Sequence, residues 1–431
     1  MLNPIFFVVV LASILLAAAT GHMHELTDAI LEKSRDAVDL ALQLIGVMAF
    51  FLGLMKVAED GGLLRSICRL VAPAMRRLFP SVPPDHPAMS AMVMNIGSNM
   101  LGLANAATPF GIRAIEELDK LNGRKGTATN AMVLFLAINT AGLALLPSGV
   151  VGLRAAAGSA DATGIFFPTW FASGTATVVG VLAALGLARL RRYRLSEPPP
   201  APSPEPSAPP AEPPSIEPAP NAMRARRVAQ WLFWAAFLFL LARHVVLAAG
   251  GTARHELVKQ VLSYWILPAI VVGMTLFGWS RGVKVYESMV EGAKEGFQVA
   301  VRIIPFLVTI IVAVGMFRAS GAMDVLADVL SPATSFIGMP AEALPMAILR
   351  PLTGSGAMGY MAEAMKAHGP DSLIGYMVST YQGSTETTFY VLAVYFGAVG
   401  VKVTRHALPA CLAADVAGIL AATFAVNLLF G

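Results

Sequence analysis

Long apolar runs separated by short polar loops make up most of this chain. The first run covers residues 4–20. A helical pattern over residues 25–59 begins amphipathic and turns continuously apolar from about 38 to 58. Further runs cover residues 129–147, 166–190, 228–247, 263–279, 373–399 and 407–430. Each approaches the roughly 20 apolar residues that a helix needs to cross a hydrocarbon core of about 30 Å, so each predicts a transmembrane helix. Two other apolar stretches, 87–112 and 341–365, are broken by Gly and Pro and studded with polar residues. The first has basic residues on both flanks, and both read as hairpins that enter and leave on one side. One ordinary span is the alternative for the first of them. No basic residue precedes the run at 4–20, which favours a retained helix over a cleaved signal peptide.

Basic loops set the direction of the chain. Arg65, Arg69, Arg76 and Arg77 follow the second run, Arg113, Lys120, Arg124 and Lys125 follow the first broken stretch, and Arg189, Arg191, Arg192 and Arg194 follow the run at 166–190. The positive-inside rule places all three loops in the cytoplasm. A proline-rich tract over residues 197–220 can bury no core and reads as an extended cytoplasmic linker. The layout then begins again. Residues 291–330 repeat residues 32–71: an amphipathic lead-in, a span, a glycine break (Gly61-Gly62 beside Ser320-Gly321) and a surface helix ending near Pro73 or Pro332. Gly354-Ser355 stands in the second broken stretch where Gly97-Ser98 stands in the first.

The unpaired run 228–247 carries the chain across the bilayer once, so the second copy starts outside and is inverted. Lys402 and Arg405 then fall inside, while Arg254 and Lys259 fall outside and weaken the charge signal. The expected fold is an all-α polytopic membrane protein of two inverted-topology repeats. Each has about four transmembrane helices and one re-entrant helical hairpin, and one extra transmembrane helix links them. The divisions are residues 1–195, the linker 196–227, the extra helix and external loop 228–262, and the second repeat 263–431.

Composition agrees. With 56% hydrophobic and 13% charged residues and a mean hydropathy of +0.66, a soluble globule is excluded. Cys68 and Cys411 lie far apart in apolar surroundings, where neither a disulfide nor a thiolate metal site is expected. The net charge of +4 is small and clusters beside apolar runs, which suits membrane topology and not nucleic acid. Gly354, Gly356 and Gly359 fit GxGxxG, yet no strand precedes them, so no dinucleotide site is read there. No His pair has zinc-protease spacing, and no P-loop or nucleophile elbow occurs. His22, His24 and His86 read as solvated loop residues. No enzymatic activity, metal or cofactor is expected.

The chemistry concentrates in Gln382-Gly383-Ser384-Thr385-Glu386-Thr387-Thr388, inside a run that otherwise reads as membrane-spanning. A carboxylate at the bilayer centre costs roughly 2.5–3.5 kcal/mol on insertion scales, so Glu386 belongs against a cavity, a partner or a solute path. Asp415 in the last run joins it as a candidate for coupling to H⁺ or Na⁺. Helix capping, or pairing with a Ser or Thr, is the structural alternative for Asp415. Asn95, Ser98, Asn99, Asn105, Thr108, Asn139, Thr140, Arg350, Thr353, Ser355, Gln382, Ser384, Thr385, Glu386 and Thr387 are the candidate solute-binding residues. Neutral donors and acceptors at hairpin tips, with freed amides at half-helix N-termini, suit polar or anionic solutes. The same polar residues also read as interhelical glue, worth under about 1 kcal/mol each. Arg350 pairs with a carboxylate or phosphate, with Glu386, or with a backbone carbonyl.

Residues 99–111 (NMLGLANAATPFG) with Asn139-Thr140 resemble the spore maturation protein A family. Tyr286-Glu287-Ser288, residues 350–356 (RPLTGSG) and residues 382–390 resemble the spore maturation protein B family. Both families are of the nucleoside-recognition, or gate-domain, type, which is similar to parts of concentrative nucleoside transporters. The resemblance implies a transport-like fold and a role in spore cortex maturation and core dehydration. Fusion of the two in one chain is a departure from that pattern. The reading is an inner-membrane transporter or permease moving a small polar or anionic solute through a midplane site between two broken hairpins. The alternative is a non-transporting membrane protein for cell-envelope or spore maturation. Expected partners are the lipid bilayer, the solute and further copies of the chain.

Overall fold

The computed structural model describes residues 2–102, 104–193, 220–248 and 265–431. Residues 194–219 and the basic residues Arg254 and Lys259 lie outside the described residues, while residues 220–227, expected as the end of the linker, are already helical. Among the described residues all regular structure is helical, apart from one isolated bridge between Thr127 and Val403. The helices are α1 (Leu2–Thr20), α2 (Met23–Asp60), α3 (Leu63–Leu78), α4 (Pro87–Met100), α5 (Ala104–Lys120), α6 (Asn130–Ala141), α7 (Ser148–Ala156), α8 (Phe166–Ala188) and α9 (Pro220–Ala248). They continue with α10 (Ile266–Ser280), α11 (Val285–Ala319), α12 (Ala322–Ser335), α13 (Leu344–Leu352), α14 (Gly354–His368), α15 (Leu373–Ser384), α16 (Thr388–Ala398) and α17 (Ala407–Phe430).

Residues 166–188, 228–247 and 407–430 form helices long and apolar enough to cross a membrane. The middle one buries none of its side chains, and Trp231, Phe239 and Val246 stand on its surface more than two-thirds exposed. So much apolar surface is stable only against lipid or another apolar surface, and this is an all-helical membrane protein.

The two longest helices run antiparallel. A Cβ on Gly292 of α11 would fall 2.5 Å from the Leu52 carbonyl oxygen of α2, and one on Gly53 would fall 2.5 Å from that of Met289. Lys33 meets Gly315 toward one end of the contact, and Ser288 donates to Asp60 Oδ2 at 2.6 Å at the other. Small residues let these backbones touch, the usual basis of tight helix pairs in lipid. Helices α8 and α17 also run antiparallel, with Gly180 against Ala414, Ala176 against Gly418 and Phe171 against Phe424.

Both glycine breaks read from the sequence occur. Gly62 ends the turn after α2 at φ 81°, and Gly321 ends the turn after α11 at φ 77°. The helices that follow pass through Pro73 and Pro332 and end at Leu78 and Ser335, later than the prolines suggest. A proline early in a helix loses only a bond that capping or the preceding turn can replace, and further along it bends more often than it stops.

Four sequence expectations need correction. Residues 129–147 are not one span: α6 stops at Ala141, where Gly142 caps it in the left-handed region at φ 55°, and residues 142–147 are irregular. The first hairpin turns after Met100, beside Gly102 at φ 73°, and not at Gly97-Ser98 or Pro109. Gly97 lies inside α4 because its bare face seats Cys68 and Leu64, 3.0 and 3.1 Å from where a Cβ would be. His86 is not solvated: it is 8% exposed and its Nδ1 accepts from Ala88 N at 3.2 Å, capping α4. His24 lies within α2 and not in a loop; it is exposed, as is His22.

Candidate functional site

Four helix breaks meet in the interior. The second hairpin, α13 and α14, turns at Thr353, whose hydroxyl accepts from Gly356 N at 3.1 Å and caps α14. Helices α15 and α16 are separated by Thr385, Glu386 and Thr387, as three β-branched or polar residues after a glycine would favour. Arg350, in the last turn of α13, is 4% exposed and reaches into that break. Its Nη2 donates to the Thr385 carbonyl, its Nη1 donates to Thr387 Oγ1 at 3.2 Å, and Glu386 Oε2 lies 3.6 Å away. Arg350 therefore stands at the tip of the hairpin, where a cation faces the carbonyl ends of α13 and α15. Its dominant partner is the backbone, and Glu386, with its side chain 47% exposed, is the looser one.

The first-half breaks are built alike. Asn99, near the end of α4, donates to Asn139 Oδ1 at 3.1 Å, and Asn139 donates back to Phe135 O at 2.9 Å. The irregular segment after α6 is tied to the hairpin turn by Leu145 N, which donates to Met100 O at 2.8 Å. The two breaks then join: Glu386 N donates to Thr140 O at 2.7 Å. Asn95 adds a second link between the hairpin and α16, donating to Tyr395 OH at 3.2 Å and to Ala107 O at 2.7 Å. Tyr395 packs where a side chain on Gly111 would be, and only glycine fits there.

Asp415 of α17 is 1% exposed and accepts from Thr388 Oγ1 at 2.6 Å, so the Thr-paired arrangement is present. Among the described residues its Oδ1 has no hydrogen-bond partner. Neither do the buried polar atoms Asn95 Oδ1, Ser98 Oγ, Thr140 Oγ1, Thr385 Oγ1, Gln382 Oε1 and Arg350 Nε. A buried polar atom without a partner costs about 1–3 kcal/mol, so a concentration of them marks a place built for something other than stability. Gln382 reaches the Gly354 carbonyl at 3.5 Å, and Ser384 turns back to Tyr381 O. Ser355 and Thr108 are half-buried on α14 and α5, and the Asn105 side chain lies outside the described residues.

Two arginine clasps flank this centre. Arg154, fully buried, donates to Pro370 O, Gly375 O and Ser379 Oγ through Nη1, and to Ser159 Oγ, Asp161 O and Asp371 Oδ1 through Nη2. Its guanidinium lies 4.3 Å from the Tyr376 ring centre, and Tyr376 stacks on Phe430 at 3.8 Å. Arg405 donates to Ala128 O, Asn130 Oδ1 and Tyr193 O. These clasps sit at opposite ends of α17, whose 24 residues span about 36 Å. Helix α6 thus starts at one end of α17 and α15 at the other, and they meet C-terminus to C-terminus. Arg154, Tyr395 and Gly142 belong to this arrangement without being among the sequence candidates, although a lone arginine amid SGVVGLRAA is a visible signal.

Residues 41–157 and 300–402 match the Gate family, described as nucleoside recognition. The chain belongs to the Gate nucleoside-recognition family. The matched segments contain both hairpins, both broken helices and every residue named at the centre except Asp415. Spore maturation protein B of Bacillus subtilis (strain 168) is 49% identical over 170 residues, which are 39% of this chain and 96% of that protein. Spore maturation protein A of the same organism is 37% identical over 194 residues, 45% of this chain and 97% of that protein. This Gate protein is thus consistent with a fusion of two such relatives. No solved structure matches it.

Proposed function

We propose that this Gate protein is a multi-pass inner-membrane transporter of a small polar or anionic solute, bound between two broken hairpins in inverted repeats. The repeats take residues 1–195 and 263–431, with a linker at 196–227 and one extra helix with an external loop at 228–262. The observation that carries the reading is the hydrogen bond from Glu386 to Thr140, which brings two broken helices together beside unpartnered buried polar atoms. Antiparallel pairing of α2 with α11 and of α8 with α17 supports inversion. Discontinuous helices meeting at mid-depth are the usual way a membrane protein exposes backbone groups to a solute without exposing them to lipid.

In this reading Arg350, Gln382, Thr385, Thr387, Asn99, Asn139 and Thr140 contact the solute. Glu386 and Asp415 take up the coupling H⁺ or Na⁺, favoured by the carbonyl ends of α6 and α15. The test begins with a metabolite comparison of cells with and without the gene, which supplies the solute. Its uptake into proteoliposomes should fall at least tenfold in Glu386→Gln and in Asp415→Asn while both variants stay folded. Wild-type flux in both variants overturns the reading.

The names of the two relatives support a second reading, a role in spore maturation without transport. Deleting residues 197–219 separates the two, because a scaffold that recruits partners through that tract loses function and a transporter keeps it.

A further inference from the structure

Helices α9 and α10 enclose an open groove of about 480 Å³, lined by Gln230, Trp231, Trp234, Leu238, Phe277, Ser280 and Arg281. The groove is of ligand-binding size, yet it lies away from the candidate site. Its composition is graded. Trp231, Trp234, Leu238 and Phe277 make an apolar wall along α9 and α10, while Gln230, Ser280 and Arg281 make a polar end. A second arginine stands beside that end: Arg226 lies 5.4 Å from the Trp279 ring centre and donates to Trp279 O at 3.3 Å. Arg281 lies over Phe277 with its guanidinium 5.2 Å from the ring centre. Among the described residues no carboxylate lines the groove.

We infer that this groove holds an anionic phospholipid of the surrounding bilayer, its phosphate between Arg226 and Arg281 and one acyl chain along Trp231, Trp234 and Leu238. Three observations favour this occupant. Residues 228–247 of α9 form a span with none of its side chains buried, so the apolar wall faces hydrocarbon. Trp279 stands beside the polar end and Trp231 directly follows Gln230, as aromatic residues do at the level of lipid headgroups. The two arginines supply the charge that anionic headgroups seek, and no acidic residue among the described lining residues offsets it. Cation–π contacts with Trp279 and Phe277 position both guanidinium groups, which favours a defined phosphate contact over a diffuse basic patch. The site is independent of the transport reading.

The full chain, with Trp170, Trp265 and Trp279 replaced by Phe so that Trp231 and Trp234 report, is reconstituted in phosphatidylcholine vesicles containing one part in five phosphatidylglycerol. Bromine is placed on the acyl chains of one lipid or the other. Because Trp279 orients Arg226, the same lipids are also competed on the wild-type chain by native mass spectrometry. The expected result is quenching by brominated phosphatidylglycerol at least threefold above its mole fraction, and retention of that lipid by the wild-type chain. Arg226→Gln with Arg281→Gln should abolish both preferences, and Arg226→Lys with Arg281→Lys should keep part of them, which separates lost charge from lost fold. Quenching in proportion to mole fraction together with equal retention of both lipids overturns the inference. So does a preference that survives the double Gln variant, or shielding of both tryptophans from either lipid with a dimer on cross-linking, which would make the groove an interface between copies.

Discussion

Glu386 donates its backbone amide to the Thr140 carbonyl at 2.7 Å, joining the break after α15 to the last turn of α6. Gly142 lies directly under this bond. A Cβ there would stand 3.0 Å from Glu386 Cγ and 3.1 Å from its amide nitrogen, on a backbone already in the left-handed region at φ 55°. Gly142→Ala should therefore lower stability by about 1–3 kcal/mol, the usual scale for a side chain forced into such a conformation. Thermal unfolding in detergent checks this, with Gly186→Ala, a helical position where nothing lies within 4 Å, as the control expected to lose no stability.

Removal of Arg154 should be more costly. The guanidinium is fully buried and its fork is shared among carbonyls, two hydroxyls and Asp371, so Arg154→Ala strands several polar groups at once. The expected loss is about 3–5 kcal/mol, as for breaking a buried charged network. Asp371→Asn should lose less than about 1 kcal/mol, because that carboxylate is 34% exposed and solvent screens it. Equal losses in the two variants, read by detergent melts, would contradict this division.

His406 links stability to pH at the opposite clasp. Burial and the neighbouring Arg405 push its pKa down from 6.5 to about 4, so the folded protein holds the ring neutral while the unfolded chain protonates it. The unfolded state then binds more protons between about pH 6.5 and about 4, and stability falls as pH falls through that window. Melting temperatures taken across it should drop in the wild type and drop less in His406→Gln.

The inverted arrangement can be read by labelling. In a background with Cys68 and Cys411 replaced by Ala, Ala160→Cys and Ala367→Cys, exposed near the Arg154 clasp, should react with an impermeant maleimide from one face. Arg124→Cys and Lys402→Cys, exposed near the Arg405 clasp, should react from the other. Reaction of all four from one face would exclude inversion.

Much of this structure is legible in the sequence because apolar periodicity reports which face of a helix lipid or core will cover. The glycine breaks after α2 and α11 fall where two adjacent small residues stand, and the break around Glu386 falls where polar and β-branched residues interrupt an apolar run. The break after Ala141 is less visible, since Asn139 and Thr140 lie inside the helix and only Gly142 marks its end. Gly97 misleads for the opposite reason. A glycine permits a turn but also permits a close contact, and only the neighbours Cys68 and Leu64 decide between them. Arg154 escapes a local reading because all the groups it holds from α15 and the turn before it lie more than 200 residues away.

The bare surfaces of Gly53 and Gly292 allow α2 and α11 to lie backbone to backbone along most of their length. Such a seam is complete without any peptide bond between its sides. A gene split within residues 197–219 should therefore yield two polypeptides that copurify, and a bulky residue at Gly292 should weaken that association while the contacts of α8 with α17 and both arginine clasps remain. The connecting tract would then serve to keep the stoichiometry at one to one, a service that two separately made chains must obtain from matched expression.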